Sequence, residues 1–149
     1  MAIFLAMFGR RLETSRALVN RIMRLSAIAA AVLVIGQYTL EAARMADDMA
    51  GIMDSSLQML AMHSASSTVL SVRLLGLLLI SLAVGALGDT SITLGVMGAG
   101  IVVSSFVLTG HTAAHPQRWV LAPLLIFHVT IVAFWFGALI PLYVCGWRA

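Results

Sequence analysis

Three histidines lie at the edge of, or inside, long apolar segments in the second half of the chain. His111 and His115 are four residues apart at the end of one apolar run, and His128 lies within the next run. An imidazole in a hydrocarbon environment is costly, and it is usually retained to bind a ligand, to carry a proton or to contact a partner helix. Because imidazole nitrogen suits copper, zinc or iron, all three residues are candidate metal ligands.

Methionines are concentrated in the segment 41–68, where a fourth histidine, His63, follows them. Thioether sulfur is a soft ligand that suits Cu(I). The first three methionines have the i, i+4, i+8 spacing that would form one stripe on a helix, which predicts a copper-capture surface with Met49, Met53 and His63 as ligands. The alternatives are flexible core filling and an amphipathic helix that lies on a membrane. The methionines are Met45, Met49, Met53, Met59 and Met62; the acidic residues among them, Asp47, Asp48 and Asp54, are predicted to be solvated rather than ligands.

The elements that must position these residues are membrane helices. The 149-residue chain is 61% hydrophobic and 10% charged, whereas a soluble domain is about half apolar and a quarter charged. Four apolar runs are long enough to cross a bilayer. The sequence therefore predicts an all-α bundle of four transmembrane helices in a single domain, with spans at about 25–43, 69–87, 91–109 and 119–144.

The arginines predict the orientation of this bundle. All nine basic residues are arginine, and five of them precede the first span. Because positive segments stay in the cytoplasm, the N-terminus is predicted to be cytoplasmic, with six arginines inside and three outside. One of the outer three is Arg73, near the start of the second span. The methionine segment, His63, His111 and His115 then all fall on the outer side. Since the arginines are explained as topology signals, no nucleic-acid partner is predicted.

His128 is the histidine predicted to lie deepest in the membrane. It is about nine residues past the start of the fourth span, hence roughly 13 Å into it, and Trp135 lies on the same face two turns later. Two interpretations remain open. His128 binds a ligand, or it makes an interhelical hydrogen bond to Ser104 or Ser105 of the third span.

No enzyme motif accompanies these residues. The sequence contains no hydrolase triad, P-loop, dinucleotide fingerprint or paired intramembrane carboxylates, so the protein is predicted not to be an enzyme. A b-type haem protein is an alternative, but His128 is the single histidine inside a span, and Met97 would have to supply the second axial ligand. Small residues of the third span predict a face for close helix packing. They are Gly95, Gly98, Ala99, Gly100 and Ser104.

Three sequence elements, read together, resemble the CopD/PcoD copper-resistance family. They are RLL at 73–75, LTGHTAA at 108–114 and LLIFHVTIVAFWFGALIPL at 124–142. The resemblance covers roughly residues 55 to 143 and is partial, at about half the length of that family's proteins. It implies a multi-pass protein of the bacterial inner (cytoplasmic) membrane that imports copper or confers resistance to it, with a periplasmic CopC-like copper protein as a partner. It also implies functional roles for His111 and His128, with Trp135 and Gly137 as helix-packing neighbours.

The leading hypothesis is therefore a copper-handling membrane protein. Outer Met and His residues would collect copper, and His111 and His128 would pass it inward between the third and fourth spans. The competing hypothesis is a non-catalytic accessory subunit that packs in a larger membrane complex or a homo-oligomer. The third is the b-type haem protein.

Overall fold

Four long helices account for most of the computed structural model, which describes residues 16–86, 88–109 and 115–146. Helix α1 (Arg16–Ala46) leads into a connector that contains the short helix α2 (Ser55–Met62). Helices α3 (Ala65–Gly85), α4 (Gly88–Ser105) and α5 (Arg118–Gly146) follow. Short 3₁₀ helices occupy Met49–Met53 in the connector and Phe106–Leu108 at the end of α4.

The long helices confirm the predicted all-α bundle with four spans. Each is apolar and long enough to cross a membrane. The 21 residues of α3 extend about 31 Å, close to the thickness of the hydrocarbon layer. Helix α1 has 31 residues and extends about 46 Å, so it is longer than the predicted span 25–43. A hydropathy pattern detects only the apolar part of a helix, whereas the helix itself begins at Arg16 and includes Arg21 and Arg24 before the apolar run.

Helix α3 lies between α1 and α4, and its contact with α4 is very close. A Cβ atom added to Gly76 would lie 2.8 Å from the carbonyl oxygen of Gly98, and one added to Gly98 would lie 2.6 Å from the carbonyl oxygen of Gly76. Only glycine lets the two backbones approach in this way. The predicted packing face of α4 is therefore confirmed at Gly95 and Gly98, which are buried, but Gly100 and Ser104 are exposed.

The connector turns back against α1 instead of continuing it. Asp47 has a φ of 53°, and the Asp48 carboxylate then accepts a hydrogen bond from the backbone N–H of Ala50 at 3.3 Å, which begins the 3₁₀ helix. Gly51 packs on α1, because a Cβ there would lie 2.5 Å from the Cβ of Ala46. The predicted single stripe of Met45, Met49 and Met53 is therefore wrong, since Met45 lies in the last turn of α1 and the other two residues belong to the 3₁₀ helix.

Helix α5 lies at the edge of the bundle. Its main contacts are with α4 and the 3₁₀ helix Phe106–Leu108. Ala138 is the single buried residue among those of α5 whose side chains are described, at 118–139, 142 and 143. The other three long helices form the packed part of the molecule. The half-buried side chains of α5, at 121, 122, 125, 126, 129, 130, 134 and 137, recur every three to four residues, and the rest of its described surface is exposed.

Candidate functional site

The candidate metal ligands of the connector are exposed at one end of the bundle. Met53 is 90% exposed, and Met49, Met59 and Met62 are each about two-thirds exposed. His63 is exposed as well and ends α2, where its backbone N–H donates to the carbonyl oxygen of Leu60 at 3.2 Å. These side chains are accessible from the surface and do not fill a core.

Three of these residues lie at the end of α2. Met59 and Met62 are three residues apart in the helix and so lie on one face of it, and His63 follows directly as its C-cap residue. Asp54 caps the start of the same helix. The predicted ligands Met49 and Met53 have the spacing of a continuous helix, which the chain does not form here. Asp48 and Asp54 are exposed helix caps, as expected for solvated residues.

The loop before α5 holds the second group of predicted ligands. His115 is exposed, and its Nδ1 accepts a hydrogen bond from the backbone N–H of Gln117 at 3.0 Å. An Nδ1 that accepts leaves the proton on Nε2, so this histidine must give up its bond to Gln117 before Nε2 can bind a metal. His111 lies outside the described residues.

His128 lies about 15 Å from the start of α5 and is exposed on its surface. Trp135, two turns later, is exposed too. The predicted hydrogen bond from His128 to Ser105 or Ser104 is wrong: Ser105 bonds to Arg73 and Val102, and Ser104 is exposed. The bond is absent because α5 lies at the edge of the bundle and the face that carries His128 is directed away from α4.

The described residues do not form a preassembled metal site of hard or borderline ligands. Within 16–86, 88–109 and 115–146, no three His, Cys, Asp or Glu side chains are grouped so that they could hold a metal ion. A copper site in this part of the chain would therefore depend on methionine sulfur together with histidine.

The strongest polar cluster inside the bundle is centred on Arg73. From the sequence, this arginine was expected to be a topology signal near the end of a span. Since α3 begins at Ala65, Arg73 lies about 12 Å along the helix, and it is only 8% exposed. Its Nε donates to the Ser105 hydroxyl at 3.1 Å, and its Nη1 donates to the side-chain oxygen of Gln37 at 3.2 Å. The guanidinium carbon lies 4.7 Å from the ring centre of Phe106.

These contacts join three helices around one cation. Gln37 belongs to α1, Arg73 to α3 and Ser105 to α4. The Ser105 hydroxyl donates its own proton to the carbonyl oxygen of Val102 at 2.6 Å, so its lone pairs are free to accept from Arg73. Within the described ranges, the hydrogen-bond partners of Arg73 are neutral and no carboxylate pairs with it. In the sequence, this cluster is visible only as single polar residues in three separate apolar runs. The runs alone do not show that these residues contact one another.

A small pocket of about 50 Å³ opens beside Arg73 at the connector end of the bundle. Its wall combines hydroxyl and carboxyl groups with apolar side chains from α1 and α3. The lining residues are Val34, Gln37, Tyr38, Glu41, Ser66, Val69, Leu70, Arg73 and Thr109. The pocket has room for one or two water molecules or for one small group of a larger ligand.

No protein-family model, curated protein or solved structure matches this chain. The resemblance to the copper-resistance family therefore stays a prediction from the sequence elements at 73–75, 108–114 and 124–142.

Proposed function

We propose that the protein binds copper at the outer face of a bacterial inner membrane and takes part in copper import or resistance. The observation that carries the proposal is the exposed group of Met59, Met62 and His63 at the end of α2. Two thioethers and an imidazole are a ligand set that suits Cu(I). The resemblance to the CopD/PcoD family supports copper as the metal.

In this proposal the connector receives the ion and the α4–α5 region passes it on. A periplasmic CopC-like protein would deliver copper to the exposed residues at the end of α2, which none of the described helices covers. His111 and His128 would carry the ion towards the membrane interior, as the resemblance implies. Because His128 is on the exposed surface of α5, this transfer needs another helix over that surface.

Cu(I) binding to the detergent-purified full chain tests the proposal. The protein is titrated with Cu(I) in competition with a chromophoric chelator under reducing conditions, and bound copper is checked by mass spectrometry. We expect about one equivalent of Cu(I). We expect the affinity to fall by tenfold or more in the double variant Met59→Leu/Met62→Leu and in His63→Ala, since each lost ligand removes a direct bond to the ion.

Methionine in a membrane span provides the matched control. Met97→Leu changes an exposed methionine of α4, and the substitution conserves volume, so copper binding should stay at the wild-type level. Wild-type Cu(I) affinity in the α2 variants contradicts the proposed site. A visible absorption spectrum of the same sample tests the haem alternative, because a bound b-type haem gives a Soret band.

A second candidate function is that of an accessory subunit in a larger membrane complex. The observation that favours it is α5, in which Ala138 is the one buried residue among those whose side chains are described and the imidazole of His128 is exposed. Polar side chains in membrane helices usually face another helix. This function predicts a stoichiometric protein partner that co-purifies with the chain.

A further inference from the structure

We propose that the pocket beside Arg73 binds a small oxyanion, the carboxylate or phosphate group of an outer-side ligand, independently of any copper site. The starting observation is a guanidinium that is more than nine-tenths buried and whose hydrogen-bond partners among the described residues are all neutral. A buried charge is costly unless it is paired and hydrogen-bonded. The neutral acceptors Gln37 and Ser105 hold the guanidinium in position but do not compensate its charge.

Arg73 has hydrogen-bonding capacity left for such a group. A guanidinium carries five N–H donors in a planar fork, and two are used by Gln37 and Ser105. No acceptor for Nη2 is found in the part of the chain that the structure describes. The planar fork matches the two oxygens of a carboxylate or phosphate, which is the geometry in which arginine binds these groups most strongly.

The pocket walls supply further donors. The hydroxyl groups of Tyr38 and Ser66 line the pocket, and neither has a hydrogen-bond partner among the residues described. A volume of about 50 Å³ admits one small oxyanion but not a whole metabolite, whose sites are typically several hundred Å³. The bound species is therefore a small free anion or the charged end of a larger molecule.

The charges at the pocket sum to a positive value. Glu41 also lines the pocket, but Arg44 donates to its carboxylate at 3.0 Å and forms an ion pair with it. The formal charges of Glu41, Arg44 and Arg73 therefore sum to +1. An anion in the pocket would compensate that charge in a low-dielectric setting, where electrostatic attraction is stronger than in water.

Anion-dependent thermal stabilisation of the delipidated full chain in a maltoside detergent tests this proposal. The probes are sodium phosphate and sodium acetate at constant ionic strength, and a short-chain phosphatidylglycerol against a monoacylglycerol that lacks phosphate. We expect saturable stabilisation of the wild type. Stabilisation by phosphate or acetate identifies a free anion as the ligand, whereas stabilisation by phosphatidylglycerol alone identifies a lipid headgroup.

Two variants distinguish anion binding in the pocket from nonspecific attraction of anions to the positive charge of the chain. Arg73→Gln should weaken anion affinity by about 10- to 100-fold, as expected for the loss of charge-assisted hydrogen bonds. Arg118→Gln is the matched control, because Arg118 is an exposed arginine at the same end that stacks on Trp119 with 5.3 Å between its guanidinium carbon and the ring centre. Its anion affinity should not change.

Two further variants keep the test decisive if Arg73→Gln does not fold. Ser66→Leu fills the pocket without removing either hydrogen bond of Arg73 and should abolish stabilisation by anions. Glu41→Gln removes the carboxylate from the pocket wall and should raise anion affinity by a few-fold. If no anion stabilises the wild type, or if anions stabilise Ser66→Leu as strongly as the wild type, the proposal is overturned and Arg73 is a structural crosslink.

Discussion

Arg73 of α3 donates a hydrogen bond from Nε to the hydroxyl of Ser105 at the end of α4, across 32 residues of sequence. The bond is buried, and the same guanidinium reaches Gln37 of α1. One side chain therefore fixes the relative positions of three membrane helices at their connector end. A guanidinium that holds helices together through neutral acceptors also keeps its charge available, which is why this residue contributes to both packing and the proposed anion site.

Removal of the Ser105 acceptor should destabilise the bundle. We expect Ser105→Ala to lower the free energy of unfolding by about 0.6–2 kcal/mol, the range for interhelical hydrogen bonds in membranes and for hydrogen bonds to charged groups. Reversible unfolding in mixed detergent measures this change. Ser104→Ala is the control, since the neighbouring serine is exposed, and equal destabilisation of the two variants would show that the Arg73–Ser105 bond is not responsible.

The glycine contact between α3 and α4 predicts that the effect of a Gly→Ala substitution on stability depends strongly on its position in α4. Gly98→Ala places a methyl group 2.6 Å from the carbonyl oxygen of Gly76, so the helices must separate, and we expect a loss of about 1–3 kcal/mol. Gly100→Ala, two residues later in the same helix, has no atom within 4 Å of the new methyl group and should be neutral or stabilising by less than about 1 kcal/mol. Thermal midpoints of the two variants compare them directly, and a stable Gly98→Ala variant would contradict the close packing.

Asp54 gives the start of α2 a defined pH dependence. The hydroxyl of Ser56 and the backbone N–H groups of Ser56 and Leu57 donate to this carboxylate and hold its pKa below its usual value. A carboxyl whose pKa is lowered by folding stabilises the folded state above its unfolded pKa, and this contribution is lost as the pH falls through the lowered pKa. We expect NMR titration of the Asp54 carboxyl to show the lowered pKa.

Ser56→Ala removes the largest cause of this shift and should return the pKa of Asp54 part of the way to its usual value. Asp54→Asn keeps an oxygen acceptor but cannot titrate, so the acid-induced loss of α2 helicity should disappear in that variant. An Asp54 pKa that does not respond to Ser56→Ala would show that the hydroxyl bond is absent in solution.

The sequence was sufficient to predict the four spans because each apolar run is long and nearly free of charge. It was not sufficient for the helix ends, since polar residues such as Arg21 extend α1 beyond its apolar part. The predicted methionine stripe is wrong because of the local backbone conformation. The spacing of Met45, Met49 and Met53 fits a helix, but a left-handed backbone at Asp47 and the close approach of Gly51 to α1 end that helix.

Contacts between residues far apart in the chain could not be predicted from the sequence. Gln37, Arg73 and Ser105 are single polar residues in three different apolar runs, and nothing in their local spacing shows that α1, α3 and α4 bring them together. One of the two interpretations that the sequence leaves open for His128 is a hydrogen bond to a Ser or Thr of a neighbouring helix, such as Ser104 or Ser105. The helix order places α3 rather than α5 against this face of α4, so Arg73 takes the acceptor.

The exposed surface of α5 leads to a final prediction about what covers it. A photo-crosslinking amino acid at position 128, in the full chain in native membranes, should capture a protein if another helix covers this surface. Leu33 of α1 is the control position, because it is exposed on an apolar face and should capture lipid. An imidazole that faces hydrocarbon is costly, whereas an exposed leucine is not, so the two positions are expected to differ. Capture of lipid alone at position 128 would contradict both the accessory-subunit function and a copper transfer that needs a second helix over His128.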